Sequence, residues 1–407
     1  MTGREAAEAI IRRLRGAGRV ALLAGGCVRD LLLDREPKDY DVATDATPGQ
    51  VVSLFRRTEQ VGAKFGVVIV RLGGQVIEVA TFRSDGDYQD GRHPRKVTFS
   101  SPEQDAQRRD FTINGMFYDP AAARVLDFVG GMEDLRRGVV RAIGDPERRF
   151  NEDHLRMLRA VRFAARFDFR IDPDTLAAMR AAAHRIRSIS AERIRVELVM
   201  ILTEPTRRRG WELIHESGLS AWLVPDTTWS DDASTLTAAR LGALPVECSE
   251  RLAWALLLRD HPPAGVAHRC RRLTCSNRVA RDAAWLVEQV PRLLECEVFQ
   301  PADFKLLLAD PCGPELDPLL EAETRARHLP EAPLSRWRRA VAEIPPEQIA
   351  PPRMVTGDDL LALGLPPGPA FASLLAELYR RQLNGCFATR EAAVRAARAM
   401  VAAERSR

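Results

Sequence analysis

The stretch KDYDVAT, residues 38–44, places two carboxylates, Asp39 and Asp41, one residue apart in what reads as a short strand. Residues i and i+2 of a strand point to the same side, so the two acids share a neighbourhood and repel. Asp is also a poor strand former. A cation held between them explains the arrangement; a pair of solvated carboxylates at a strand edge explains it equally well. The sequence on either side has to decide.

Upstream, AGGCVRDLLLDREP (24–37) ends a short apolar strand, Val20–Ala24, in Gly25-Gly26 and opens a brief helix, Val28–Leu33. Glycines let backbone N–H groups approach a phosphate, a helix N-terminus favours anions, and Arg29 can pair with a phosphate oxygen. A glycine pair before a helix also serves as a plain tight turn. The combination is more informative than either part. A phosphate cradle shortly before a same-face Asp pair points to a site for Mg²⁺ and a nucleotide, because Mg²⁺ takes one or two carboxylates and completes its shell with phosphate oxygens. Two such ions can activate an attacking hydroxyl and stabilise a leaving pyrophosphate. Glu78, an acid inside the apolar run VIEVAT (76–81), is the third acid of such a site, since a buried acid needs a partner. Equally, it is an outward-facing residue of a half-buried strand.

Further out, residues 4–17 place Ala7, Ile10, Ile11 and Leu14 at helical spacing. Thr47-Pro48 reads as a helix start, with Val51, Val52 and Phe55 on the buried face. GVVIVRLGGQVIEVATF (66–82) reads as a hairpin turning at Gly73-Gly74, and the polar, Gly-rich segment after it reads as a mobile loop. From Glu152 to about residue 340 the pattern is almost wholly helical. IPPEQIAPPR (344–353) reads as a linker, and a last helical unit follows it.

A chain of 407 residues with 45% hydrophobic and 29% charged residues predicts a globular protein of two to four domains. The net charge of +4 excludes a strongly basic nucleic-acid binder as a whole. Arg far outnumbers Lys; this is either selection for phosphate and base contacts or the codon bias of a GC-rich genome. Seven scattered cysteines argue against a disulfide framework, and Cys270 and Cys275 have no matching pair at zinc spacing. The opening MTGREAAEAI lacks a signal peptide's character and no apolar run is long enough for a membrane, so a cytoplasmic protein is expected.

GGCVRDLLL (25–33) with DYDVAT (39–44) resembles the head of the bacterial tRNA nucleotidyltransferase and poly(A) polymerase family, the class II CCA-adding enzymes. The resemblance continues in order through IEVATFR (77–83), RRDFTIN (108–114), DFVGGMEDL (127–135), EDHLRMLRAVRFAARF (152–167) and SAERIRVEL (190–198). It implies an α/β, polymerase β-like nucleotidyltransferase head over residues 1–145. An elongated all-α remainder follows: a neck for base selection (146–205), then a body (206–343) and a tail (344–407) that bind tRNA. The implied partners are tRNA, CTP and ATP, the implied cofactor is Mg²⁺, and no obligate protein partner is evident. The implied catalytic residues are Asp39, Asp41 and Glu78, with the two aspartates as metal ligands. Gly25, Gly26, Arg29, Arg109, Asp110, Asp153, Arg156, Arg159 and Arg162 are the implied nucleotide-binding residues.

The resemblance also implies a selection device without a template. Asp153 and Arg156 stand i, i+3, which places them on one face of a helix. Asp accepts only and Arg donates only. Cytosine and adenine both offer an amino group beside a ring acceptor and match this edge; guanine and uracil present a carbonyl and an N–H with the wrong polarity. An ordinary salt bridge in an Arg-rich helix is the alternative use of such a pair. Asp110 is expected to accept from a ribose hydroxyl. Gly130-Gly131 corresponds to a hinge, residues 83–96 to a flexible loop needed for adding the terminal A, and Arg185, Arg187, Arg193, Arg195 and Arg207–Arg209 to a surface that tracks tRNA phosphates or is simply solvated. Poly(A) polymerases of the family often carry a basic C-terminal extension, whereas this chain closes on VRAARAMVAAERSR. Partial enzymes that add only CC or only A share these motifs, and the intact 83–96 segment weighs against the CC-only form. A non-catalytic RNA-binding protein on a decayed head is a competing class, and the retained acids weigh against it. His261 and His268 have no adjacent HD pair, so no phosphohydrolase module is expected.

Overall fold

In the computed structural model, residues 1–60, 66–85, 97–224, 226–295 and 299–405 are described. The KDYDVAT segment enters the middle of a seven-stranded mixed sheet. In chain order its elements are α1 (Gly3–Gly16), β1 (Ala21–Ala24), α2 (Gly26–Leu32), β2 (Asp41–Thr44), α3 (Pro48–Leu54), β3 (Thr58–Glu59), β4 (Val67–Leu72) and β5 (Gln75–Thr81). There follow β6 (Arg83–Asp85), β7 (Val97–Phe99), α4 (Pro102–Gln107), β8 (Phe117–Asp119) and β9 (Arg124–Leu126). The sheet order is β3-β4-β5-β2-β1-β8-β9. Only β2 and β5 are parallel neighbours; the other pairs are antiparallel.

The alternation of side chains gives the two sheet faces different work. Leu23, Val42, Ile77 and Val79 are buried, and α1, with Ala7, Ile10, Ile11 and Leu14 buried on its stripe, packs with α3 against these strands. Thr2 and Glu5 form a capping box at the start of α1, and Thr47 and Gln50 form one at the start of α3. On the opposite register, Asp41 faces Glu78 directly across the parallel pair. Toward the β1–β8 side that register gives way to an apolar cluster of Leu22, Ala24, Ala43, Phe82, Ala106 and Phe117.

Arg83–Asp85, expected within a loop, is a strand that pairs with β7 in a separate ribbon; residues 86–96 of that expected loop lie outside the described residues. Helices then take over: α5 (Gly131–Arg136), α6 (Pro146–Glu152), α7 (Arg156–Phe167), α8 (Pro173–Ala182), α9 (Ala191–Leu202) and α10 (Arg207–Glu216). Two short strands, β10 (Val139–Val140) and β11 (Arg170–Ile171), pair in parallel and tie the end of the α/β region to the helices that follow it.

Met1–Ala238 forms one compact unit and Ala239–Arg407 another. The second is helical. Helices Glu250–Leu257, Pro263–Arg272, Asn277–Glu295 and Leu316–Ala326 bury Trp254, Leu256, Leu286, Val290 and Leu319. Within it Arg240 is 1% exposed, and its Nε and Nη1 lie 2.6 Å from Glu323 and Asp260, the full pairing that a buried charge requires. After the Pro-rich 344–353 segment, a second small core gathers Leu360, Leu374, Leu378, Ala393, Ala397 and Val401. No helix among the described residues is long and apolar enough to cross a membrane.

Candidate active site

All twelve residues singled out from the sequence line one cavity of about 710 Å³. Nine arginines and five carboxylates line it, an excess of positive charge suited to a polyanion. The acids come from the sheet and the arginines chiefly from α7 and the RRDFTIN segment.

Asp41 is the first residue of β2, while Asp39 lies in the bend before it and not in the strand. Both line the cavity with Glu78, which β5 brings opposite Asp41. Among the described residues, no cationic side chain pairs with these three carboxylates and no donor hydrogen-bonds to them. Burial pushes the Asp41 carboxyl up to about 6, and the charges of Glu78 and Asp39 add to it, with Arg109 opposing. The protein therefore gathers negative charge here and leaves it uncompensated. Such a set of hard oxygen donors, held at a cost, fits a divalent cation such as Mg²⁺, which takes one or two protein carboxylates and its ligand's phosphates. Among the described residues no three His, Cys, Asp or Glu side chains close into a ready-made metal cage. A second recess of about 340 Å³, lined by Lys38, Arg166, Met200 and Thr206, also reaches Asp39 and Asp41.

Gly25, with φ +74°, and Gly26 join β1 to α2. A Cβ on Gly25 would come within 2.7 Å of Arg109 Nη1, so glycine is needed both for the backbone and for that close approach. Arg29, expected to reach a phosphate, is 4% exposed and already engaged. Its Nε and Nη2 donate to Asp30 at 2.9 and 2.7 Å, Nη1 donates to Asn114 Oδ1 at 2.6 Å, and the guanidinium sits over Phe163 and Phe167. Burial lowers its pKa, with Asp30 opposing. Arg29 is thus a brace between α2, the RRDFTIN turn and α7.

Arg109 donates to Asp105 at 3.2 and 3.1 Å and to the Asn114 carbonyl at 3.3 Å. Asp105, a buried acid that nothing in the sequence marks, also holds Arg108 at 2.7 Å. Burial pushes it up, but the two arginines hold it below the usual carboxylate range. Asp110, expected to meet a ribose, accepts from Arg159 Nε and Nη2 at 2.8 and 2.7 Å, from Asn114 Nδ2 at 3.1 Å and from the Phe111 amide at 2.8 Å. Burial raises its pKa, yet the Arg159 charge and these hydrogen bonds outweigh burial and hold it far below the ordinary value. Arg162 pairs with Glu197 on α9 at 2.8 Å and lies over Phe163.

Asp153 and Arg156 do not share a helix. The chain breaks between α6 and α7, with Asp153 extended at φ −151° and ψ 107°. Its Oδ1 accepts from the Leu155 amide at 3.0 Å and its carbonyl from the Arg156 amide at 3.1 Å, a local cap that competes with a continuous helix. Both side chains still line the cavity. Arg156 Nη1 donates to Glu152 at 2.6 Å and to the Arg149 carbonyl at 2.9 Å. Arg193, expected on an RNA-tracking surface, lines the cavity and donates to Asp153 Oδ2 at 2.7 Å. Arg207, expected on the same surface, is buried and donates to the carbonyls of Leu202 and Thr203. Gly131 of the expected hinge packs so closely that a Cβ would lie 2.2 Å from the Thr112 carbonyl oxygen, and Asp127 caps α5 through the amides of Gly131 and Met132.

Residues 21–141 match the family described as poly A polymerase head domain, and residues 168–229 match that described as the probable RNA and SrmB-binding site of polymerase A. The chain is 33% identical to a CCA-adding enzyme of Levilactobacillus brevis over 390 residues, 94% of each chain. It is 44% identical to poly(A) polymerase I of Salmonella typhi over 235 residues, which cover 55% of this chain and 50% of that one. Among solved structures, the Bacillus stearothermophilus CCA-adding enzyme in complex with CTP superimposes with a TM-score of 0.78 at 31% identity, covering 95% of this chain and 94% of that one.

Proposed function

Because this chain belongs to the family of tRNA nucleotidyltransferases and poly(A) polymerases, we propose that it adds CCA to the 3′ end of tRNA from CTP and ATP, without a nucleic-acid template. The observation that carries this reading is the meeting, in one cavity, of the uncompensated acids Asp39, Asp41 and Glu78 with the base-facing pair Asp153 and Arg156. The likeness to CCA-adding enzymes runs nearly end to end, whereas that to poly(A) polymerase I covers about half of each chain, which favours CCA addition over a long A tail.

Members of the family generally use divalent metal ions, and Asp39 and Asp41, with Glu78 beside them, are the residues that would hold Mg²⁺ here. Bound there, Mg²⁺ supplies Lewis-acid activation of the tRNA 3′ hydroxyl and charge neutralisation on the leaving pyrophosphate. The chain's own residues do the rest. Gly25 and Gly26 leave room for the triphosphate, Arg109 adds positive charge beside it, and Arg159 and Arg162, already paired with Asp110 and Glu197, give the base a fixed surface to lie on. Asp153 accepts from the amino group of cytosine or adenine, and Arg156 donates to the adjacent ring nitrogen. Guanine and uracil would set a carbonyl against the carboxylate and an N–H against the guanidinium, an unpaired arrangement that disfavours their incorporation. Residues 146–205 would read the base, and the helices of 206–343 and 344–407 would hold the tRNA.

The test offers purified protein three tRNAs, ending at the discriminator base, at C and at CC, with labelled CTP and ATP supplied separately and together. CCA addition predicts one C-C-A, one C-A and one A respectively. Stopping after two C residues, adding only A, or running on to a long A tail overturns the assignment, each in favour of a different family activity.

A further inference from the structure

Asp153 has an unusual share of its hydrogen bonding already spoken for. Its Oδ1 accepts from the Leu155 amide at 3.0 Å and its Oδ2 from Arg193 Nη2 at 2.7 Å. Arg193 stands in the first turn of α9, forty residues on, and its side chain is 23% exposed against 18% for Asp153. We infer that Arg193 is a positioning residue for base selection: it pins the Asp153 carboxylate so that the protein presents a fixed accepting edge to the incoming base. This rests on the reading of Asp153 as the base-facing acid.

The reason pinning matters lies in what a free carboxylate can do. A carboxylate able to swing could turn from the carbonyl of uracil or guanine to the neighbouring imino N–H and accept from it. The wrong base would then be paired and no longer penalised. Held on one oxygen by a backbone amide and on the other by Arg193, Asp153 cannot make that turn without giving up a charge-assisted bond. Each oxygen still has a lone pair to spare for the amino group of cytosine or adenine. Arg156 is held in parallel fashion by Glu152 at 2.6 Å, so donor and acceptor are each fixed by a neighbour outside the pair. Holding both before binding also spares the ordering cost that a loose pair would incur.

The experiment measures single-nucleotide incorporation of CTP and UTP on tRNA ending at the discriminator base, and of ATP and GTP on tRNA ending in CC. It uses the full-length protein, Arg193→Ala, Arg193→Lys and Asp153→Ala. Arg193→Ala is expected to lower the CTP-over-UTP and ATP-over-GTP ratios of kcat/KM by roughly tenfold or more. Arg193→Lys, which keeps a charged donor, should recover most of that ratio. If Arg193→Ala slows all four nucleotides by one common factor, or leaves the ratios unchanged while Asp153→Ala destroys them, the positioning role is overturned and the base-reading role of Asp153 survives. If Asp153→Ala itself leaves the ratios intact, the base-reading premise fails and the inference falls with it. Should Arg193→Ala not fold, Arg193→Met, which keeps the length and removes the charged donor, takes its place: lowered ratios support the inference, and unchanged ratios overturn it.

Discussion

The sheet end that carries Asp41 and Glu78 and the helix that carries Arg156, Arg159 and Arg162 treat their charges in opposite ways. At the sheet end Asp41 and Glu78, with Asp39 in the bend before β2, line the cavity with no paired cation among the described residues, and Asp41 is pushed up to about 6. On α7, each of the three arginines meets a carboxylate of the protein: Glu152, Asp110 and Glu197. The first region is costly until something positive arrives. The second is complete before any ligand enters, and so offers a fixed surface. Uncompensated charge marks the place where an ion is expected; compensated charge marks the place where shape and polarity are read.

The sharpest way to break the comparison is to apply one isosteric change, carboxylate to amide, on each side. Asp41→Asn should reduce nucleotide incorporation by at least about a thousandfold, since it removes an anionic metal ligand and so weakens the hold on the cation that would neutralise the reacting phosphate. Quantified incorporation on tRNA ending in CC measures it; a loss below tenfold would show that Asp41 does not hold the metal. Asp110→Asn should act mainly on stability. It leaves Arg159 facing a neutral group in a site where breaking a buried pair costs about 3 kcal/mol, and chemical unfolding reads the difference. The decisive feature is the sign: Asp41→Asn is expected to stabilise the metal-free protein and Asp110→Asn to destabilise it. Equal signs would sink the distinction between the two regions.

The third effect is the pH dependence behind that sign. Asp41 titrates near 6 when folded and near 3.8 when unfolded. Between these values the native state binds more protons than the unfolded state, so metal-free stability falls as pH rises from about 4 to about 6 and then stays reduced. The full shift corresponds to at most about 3 kcal/mol, and solvent screening in an open cavity brings it nearer to 1. Thermal unfolding in chelator across that range should show the decline in the unaltered protein and a flatter profile in Asp41→Asn.

Much of this was readable in the chain because the signals were local. Thr47-Pro48 starts a helix, Gly73-Gly74 turns a hairpin, and the acid-bearing motifs name their own region. Two of the features that escaped share a physical cause: the deciding partner lies elsewhere in the sequence. Arg29 looks free for phosphate until Asn114, 85 residues away, takes its Nη1. Arg193 reads as one more surface arginine until Asp153 meets it across forty residues. The helical periodicity runs unbroken through residues 152–167, yet Asp153 caps the next turn, so the two side chains meet in one cavity by a geometry other than the i, i+3 face of a single helix.

The smallest expected effect refines the account of α7. Glu197, 6% exposed, pairs with Arg162 at 2.8 Å and lies 3.9 Å from Arg159. Glu197→Gln removes the charge and keeps the shape, leaving Arg162 its contact with Phe163. The cost should be about 1 kcal/mol, because Arg162 can turn toward the cavity it lines and Arg159 retains Asp110. Base selectivity should be unchanged, since neither Asp153 nor Arg156 touches Glu197. Chemical unfolding alongside the CTP-over-UTP ratio separates the two expectations. A fall in that ratio as large as that expected for Arg193→Ala would mean that the whole arginine face reads the base, and that holding and reading are not divided between neighbouring residues.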